Sequence, residues 1–183
     1  MTSLIRAFEL ALQSANWQEP EVFHFPDSNI RRWLLEKDSL SHRLAEQCEE
    51  LSVEVFTNSK VPADSLTTQE QGFLSNEACL LREVILRGDR HDWVYGRTLI
   101  PQTSLAAQPH DLENQGSLPL GVTVFNSEGA YRDGLQVAQV EIAGEVLFAR
   151  RSRLWMNERP MLVAEIFLPD APIYSERKTD DGC

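Results

Sequence analysis

The amino-acid sequence predicts an α+β fold built on a single antiparallel β-sheet of about six strands with flanking helices. Segments with apolar residues at every second position follow one another from residue 51 to residue 168. Short turn signals such as Gly88-Asp89 join them, and no regular helical pattern separates them, as a parallel sheet would require. The 183 residues suit one core, so we expect a single domain over residues 1–174.

Three helices are predicted before the first strand. Apolar residues at helical spacing predict the first helix over 3–15. Asp27 or Ser28 is a candidate N-cap for a second short helix, because both side chains can accept from first-turn amides. Asp38 or Ser39 is the corresponding candidate for a third helix, which would run to about residue 47.

The remainder of the chain alternates between strands and polar connections. The polar, turn-rich segment 57–70 predicts a loop, and the polar segment 102–118 predicts a helical excursion with loops. The tail 175–183 is polar, and we expect it to be disordered. Strand-like segments are predicted at 51–56, 79–87, 92–100, 122–125, 135–143, 146–155 and 161–168.

Composition and charge narrow the function classes. The chain is 42% hydrophobic and 25% charged, as in ordinary globular proteins, and carries a net charge of −11. Such an acidic chain is a poor general binder of nucleic acid, because neutralising phosphates needs a basic surface. No window is long and apolar enough to span a membrane, and the N-terminal segment resembles an amphipathic helix rather than a signal peptide. We expect a cytoplasmic protein without stable membrane insertion.

Two charged residues stand on apolar faces of predicted strands. Strand parity places Arg82 with Leu80 and Val84, and it places Glu165 with Met161 and Val163. A charge on an apolar face is costly unless it is paired. The two readings are a buried Arg82–Glu165 salt bridge and a ligand pocket, and a one-residue error in parity would reverse both faces.

Arginine outnumbers lysine 14 to 3, and several arginines stand at informative positions. Arg97 shares its strand face with Trp93 and Tyr95, where a guanidinium can stack on a ring and still bind a carboxylate. An exposed cation–π pair is the alternative. The run 150–153 contains three arginines but splits between two faces, which favours solvated surface or intramolecular pairing.

Other chemistries have little support in the sequence. The four histidines are scattered without metal-ligand spacing, so no metal site is expected. No G-x-S-x-G, P-loop or G-x-G-x-x-G motif is present, and no cofactor is expected. The three cysteines form no C-x-x-C pair, and Cys79 at the start of a strand is interpreted as a core thiol.

Several short motifs occur in a fixed order, and together they resemble the chorismate lyase family. The resemblance runs from about Asp27 to Tyr174, whereas residues 57–78 match poorly. Each motif is weak alone, and their order and spacing make the resemblance specific. The motifs are Trp33-Leu34-Leu35 with Asp38-Ser39, Leu81-Arg82-Glu83-Val84, Gly96-Arg97-Thr98, Pro119-Leu120-Gly121, Arg150-Arg151-Ser152-Arg153-Leu154 and Glu165-Ile166-Phe167-Leu168-Pro169.

The resemblance implies a fold and a set of site residues. It implies an enclosed ligand beneath helical flaps, with Arg82 on the ring carboxylate and Glu165 near the oxygen that becomes the phenol. Main-chain N–H groups near Leu40 and Leu120 match binding positions of the family. Arg97 matches an arginine associated with substrate binding at a second, adjoining site or access path. The family implies no metal or organic cofactor, and we expect a monomer.

The implied reaction eliminates pyruvate from chorismate to leave 4-hydroxybenzoate, the first committed step toward ubiquinone. We expect desolvation to keep Glu165 protonated, so that it can donate to the oxygen that becomes the phenol. Two acceptors of the ring proton stay open: a protein base, or the departing enolpyruvyl group in a concerted step. A non-catalytic, effector-sensing domain that binds small acids is the main alternative, because such domains look similar in fold. An interaction scaffold with a structural Arg–Glu pair is a third reading.

Overall fold

The computed structural model describes residues 2–107, 111–126 and 129–175, and one six-stranded antiparallel sheet dominates them. The strand order across the sheet is β1-β2-β3-β6-β5-β4. This arrangement confirms the predicted α+β class and the strand number. The strands are β1 Leu51–Val61, β2 Cys79–Gly88, β3 His91–Pro101, β4 Tyr131–Ile142, β5 Glu145–Met156 and β6 Arg159–Phe167.

Six short α-helices and two single 3-10 turns accompany the sheet in the described residues. No helix in this part of the chain is long and apolar enough to cross a membrane. The helices are α1 Thr2–Ser14, α2 Ser28–Leu34, α3 Leu40–Ala45, α4 Thr68–Phe73, α5 Gln102–Ala106 and α6 Leu120–Phe125, and the 3-10 turns are Ala63–Ser65 and Pro172–Tyr174.

Capping side chains set where α2 and α3 begin. The Asp27 carboxylate accepts from the amide of Ile30 at 2.8 Å, and the Ser39 hydroxyl accepts from the amide of His42 at 3.3 Å. Each contact satisfies one of the first-turn amides that have no partner inside the helix. Of the two candidates predicted for each helix, Asp27 and Ser39 are therefore the caps.

Helices cover both faces of the sheet. Phe8 of α1 packs on Tyr95 of β3, with ring centroids 4.9 Å apart, on the same face as Arg97. Helices α2, α3 and α6 lie on the opposite face, which carries Arg82 and Glu165 and is called the site face below. The charged residues of the site face are therefore enclosed between sheet and helices.

The strand register fixes which residues of the site face are neighbours. Arg82 on β2 pairs with Thr98 on β3, which pairs with Val163 on β6, which pairs with Ser152 on β5. Glu165 lies two residues beyond Val163 and therefore projects to the same side. The parity predicted for Arg82 and Glu165 is confirmed by this register.

Two predicted segments were wrong. The segment predicted as a strand at 122–125 belongs to helix α6. The prediction failed because a short apolar run without clear alternation does not distinguish a strand from a buried helix.

The loop predicted at 57–70 was also wrong. Strand β1 continues to Val61 past a register shift between Val55 and Thr57, and this shift breaks the alternation that a sequence pattern detects. Helix α4 then begins after Thr67, which forms a capping box with Glu70. The predicted disorder at residues 176–183 lies outside the described residues.

Candidate active site

A small cavity lies between the site face and the helices α3 and α6. Its volume is about 50 Å³, and its lining includes Arg82, Glu165, Leu40 and Leu120. Four of the five residues predicted to form the site are thus brought together from β2, β6 and the first turns of two helices. The fifth, Arg97, does not line this cavity.

Arg82 and Glu165 occupy separate positions across the cavity. Two interstrand steps, from β2 through β3 to β6, separate their strands. At roughly 4.8 Å for each step, the strands lie about 10 Å apart. The two side chains form no ion pair with each other, since the partners of each are different groups. The structure therefore does not contain the buried Arg82–Glu165 salt bridge considered above.

Arg82 is a buried guanidinium whose hydrogen bonds to described residues go to carbonyl groups. Its side chain donates from Nη2 to the carbonyl of Gly116 at 2.5 Å and to that of Leu118 at 3.3 Å. Its Nη1 is buried and has no hydrogen-bond partner in the described part of the chain. Burial lowers the pKa of Arg82. A buried cation with an unused donor is suited to bind a carboxylate from a ligand.

Glu165 is held by Arg150, which the sequence reading had not assigned to the site. Arg150 is fully buried and donates from Nε to Oε2 of Glu165 at 2.5 Å. Its Nη1 donates to the carbonyl of Glu36 at 2.8 Å and to that of Trp33 at 3.4 Å. Of the two interpretations of the run 150–153, solvated surface and intramolecular pairing, Arg150 therefore shows the second. This ion pair gives the buried Glu165 side chain a charged partner.

A third arginine reaches the same cavity from the edge strand β4. Arg132 lines the cavity, and it donates from Nη1 to the hydroxyl of Ser152 and from Nε to the carbonyl of Lys37 at 3.4 Å. Burial and the nearby charge of Arg150 lower the pKa of Arg132 to about 10. Arg132 was not predicted as a site residue, because it stands in a glycine-containing segment with no visible alternation.

The helices that cover the cavity approach each other closely at Gly121. A Cβ atom on Gly121 would lie 2.9 Å from Oγ of Ser39 and 3.0 Å from Oγ of Ser41. Leu40 and Leu120 are the first residues of α3 and α6, so their amides have no acceptor inside their own helices. We call α3 and α6 together the lid.

Arg97 lies on the opposite face of the sheet. It pairs with Glu70 of α4, beside a second cavity of about 250 Å³ between the sheet, α1 and α4. Arg151 lines the same cavity, with its guanidinium 4.6 Å from the ring centroid of Trp17 and 5.0 Å from that of Phe73. The assignment of Arg97 to substrate binding stays a prediction, and it concerns this second cavity.

No group of three potential metal ligands occurs among the described residues. The cavity on the site face contains buried arginines, a carboxylate and helix-terminal amides instead. These groups can bind an anion, accept or donate a hydrogen bond at its other end, and exclude water. The expectation that the reaction needs no cofactor stays a prediction.

Comparison with known proteins gives close relatives of one kind. A family model described as chorismate lyase matches residues 11–179. The probable chorismate pyruvate-lyase of Vibrio vulnificus strain YJ016 is 58% identical over 164 residues, which cover 90% of this chain and 92% of the relative. The chorismate pyruvate-lyase of Pectobacterium carotovorum is 34% identical over 163 residues, with 89% of each chain covered.

Solved structures with a similar fold are far more distant in sequence. The ligand-binding domain of a putative GntR-family transcriptional regulator from Bordetella bronchiseptica matches with a TM-score of 0.52 and 13% identity, covering 67% of this chain and 86% of that one. The effector domain of PhnF from Mycobacterium smegmatis matches with a TM-score of 0.51 and 11% identity, covering 73% and 90% of the two chains. At such identities, these likenesses establish a shared fold alone.

Proposed function

The chain belongs to the chorismate lyase family and is a lyase that eliminates pyruvate from chorismate to leave 4-hydroxybenzoate, and we propose that the cavity under the lid is where this reaction occurs. The observation that supports the location most strongly is Arg82, a buried guanidinium with an unused donor beside an enclosed cavity. The product would supply the ubiquinone pathway. Because the described residues that line the cavity all come from one chain, we further propose that the protein works as a monomer. We also propose that it works in the cytoplasm.

The reaction places modest demands on the protein. The bond between the ring and the ether oxygen breaks, and the neighbouring ring carbon, which bears the hydroxyl, loses its hydrogen. That proton ends on the methylene carbon of the departing enolpyruvyl group and completes the methyl group of pyruvate. The ring becomes aromatic, which drives the step. The enzyme therefore mainly has to hold the substrate in a reactive geometry and polarise it.

Arg82 is proposed to bind the ring carboxylate. A guanidinium offers two parallel donors that match the two oxygens of a carboxylate. In the described structure the donors of Arg82 reach backbone carbonyls, so a ligand carboxylate would replace weak acceptors with a charged one. The gain is large in a buried position, where Coulomb interactions are weakly screened.

Glu165 is proposed to hold the ring hydroxyl that becomes the phenol. With Oε2 of Glu165 held by Arg150, the other carboxyl oxygen can accept a hydrogen bond from this hydroxyl and fix the ring relative to Arg82. The sequence-based expectation was a protonated Glu165 that donates, and it did not include Arg150. In the role proposed here, Glu165 accepts from the hydroxyl instead of donating to it.

The lid is proposed to complete the site and exclude water. The first-turn amides of Leu40 and Leu120 are free to donate to the bound acid. The cavity of about 50 Å³ is smaller than typical ligand pockets of about 300–1,000 Å³. We therefore propose that the lid moves outward to admit the substrate and closes over it, which also makes product release slow.

One assay tests the function and separates it from the alternatives. The protein is mixed with chorismate, and the absorbance of 4-hydroxybenzoate and the amount of pyruvate are followed. Equal amounts of both products are expected. An effector-sensing domain would bind chorismate without forming either product, and an interaction scaffold would do neither. Either result would contradict the proposed reaction.

A role for Arg97 in binding an acid at the second cavity is proposed separately. The support is a guanidinium at the edge of a cavity of about 250 Å³, although Glu70 already pairs with it. We expect Arg97→Gln to leave 4-hydroxybenzoate binding at the first cavity unchanged and to abolish any weaker, second binding step in calorimetry. A single binding step in the unaltered protein would rule out this second site.

A further inference from the structure

The charges on the site face do not balance. Three arginines, Arg82, Arg132 and Arg150, meet a single carboxylate there, Glu165. Arg150 is paired with Glu165, which leaves Arg82 and Arg132 without an ion pair among the described residues. The nearby Glu36 pairs with Arg43 at 2.8 Å. The cavity thus presents two cations that no ion pair among the described residues compensates, although the charges of Glu165, Glu36 and Asp38 act on Arg132 from farther away. Chorismate carries two carboxylates.

The sheet order places these two cations on opposite sides of Glu165. Arg82 stands on β2, Glu165 on β6 and Arg132 on β4, in the strand order β2-β3-β6-β5-β4. Arg132 pairs with Leu154 of β5, which lines the same cavity. A substrate anchored at Arg82 with its hydroxyl at Glu165 therefore directs its remaining groups toward Arg132.

The geometry of chorismate matches this order. Its enolpyruvyl ether is attached to the ring carbon next to the one that bears the hydroxyl. With the hydroxyl at Glu165, the carboxylate of the enolpyruvyl group lies at the far end of the molecule from the ring carboxylate. The two cations and the two carboxylates therefore occur in the same order.

Neutral groups hold the guanidinium of Arg132 in position. The hydroxyl of Ser152 and the carbonyl of Lys37 accept from it, and neither of these described hydrogen bonds uses Nη2. Its guanidinium lies 5.8 Å from the ring centroid of Phe125 in α6, so the lid covers it. Burial next to Arg150 lowers the pKa of Arg132, and a bound carboxylate would offset this cost.

We propose that Arg132 binds the carboxylate of the enolpyruvyl group and thereby distinguishes the dianionic substrate from the aromatic product, which has only the ring carboxylate. The inference rests on the proposed function of the cavity. It assigns to Arg132 the part of the substrate that leaves as pyruvate. Binding of 4-hydroxybenzoate should then be independent of Arg132, whereas binding of chorismate and binding of 4-hydroxybenzoate should both depend on Arg82.

The test compares chorismate turnover with product binding in the same variants. In Arg132→Gln, we expect kcat/KM for chorismate to fall about 10- to 100-fold, as for the loss of a hydrogen bond to a charged group. The Kd for 4-hydroxybenzoate should change less than about threefold, because the product lacks the second carboxylate. Arg132→Lys retains the charge and the apolar stem, so it should fold normally and recover part of the lost kcat/KM.

Arg153→Gln is the matched control. It removes one arginine from the adjacent strand, where Arg153 pairs with Asp133 at 2.8 Å rather than lining the cavity, and it should alter neither quantity. Equal losses of chorismate turnover and 4-hydroxybenzoate affinity in both Arg132 variants would overturn the proposal, as would unchanged turnover in Arg132→Gln. If the unaltered protein formed no pyruvate, the proposed function itself would fail, which is a different outcome.

Discussion

Arg150 and Glu165 form a buried ion pair directly across strands β5 and β6, where the two residues are register partners and Nε lies 2.5 Å from Oε2. Arg150 is fully buried and also donates to two carbonyls at the end of α2. The pair neutralises Glu165 without using Arg82. This arrangement leaves Arg82 available for a ligand.

Removing Arg150 should destabilise the fold. In Arg150→Met, Glu165 would remain buried without a partner, and we expect a loss of about 3–5 kcal/mol in the free energy of unfolding. The double variant Arg150→Met/Glu165→Gln should recover much of this loss, because no unpaired charge remains. Urea unfolding of both single variants and the double variant measures the coupling. Additive effects would show that the two side chains do not stabilise each other.

Arg82 should be needed for binding but not for stability. In Arg82→Met, we expect chorismate turnover and 4-hydroxybenzoate affinity to fall together by roughly 2–5 kcal/mol, as for a lost buried charge contact. The free energy of unfolding should fall by less than about 1 kcal/mol, because a buried cation with an unused donor is replaced by an apolar chain. Arg87→Met on the same strand is the control, since Arg87 pairs with Glu54 and Asp92 outside the cavity. Intact binding in Arg82→Met would remove Arg82 from the site.

Glu165 should be needed for turnover of chorismate. In Glu165→Gln, we expect kcat to fall, because a neutral amide binds the ring hydroxyl less tightly than the side chain of Glu165 does. Steady-state kinetics with chorismate measure the change. An unchanged kcat would contradict the proposed contact between Glu165 and the ring hydroxyl.

A side chain at Gly121 should loosen the lid. In Gly121→Ala, the new Cβ would meet the hydroxyl oxygens of Ser39 and Ser41 at 2.9 Å and 3.0 Å, so α3 and α6 must separate or the Ser39 cap must rotate away. We expect 4-hydroxybenzoate to dissociate several-fold faster in stopped-flow measurements. Gly72→Ala is the control, because no atom lies within 4 Å of its Cβ position. That variant should gain roughly 0.5–1 kcal/mol of stability with unchanged dissociation. Equal dissociation rates in both variants would contradict a lid that closes at Gly121.

Much of the architecture follows from local patterns in the sequence. The alternation in β2 and β6 placed Arg82 and Glu165 on apolar faces before any contact was known, because side-chain direction in a strand repeats every two residues. Asp27 and Ser39 were each one of two candidate caps predicted from the sequence. This prediction was possible because a cap acts within one helical turn. The resemblance to a family then indicated which residues of these segments belong to one ligand site.

The contacts between these local features depend on the tertiary structure. Nothing local pairs Arg150 with Glu165, because their contact depends on the hairpin register of β5 and β6. Arg132 enters the cavity because β4 is the edge strand beside β5, and the helix Leu120–Phe125 covers this cavity together with α3. Backbone periodicity is a property of neighbouring residues, whereas the pairing of buried charges depends on strand order and register between residues far apart in the chain.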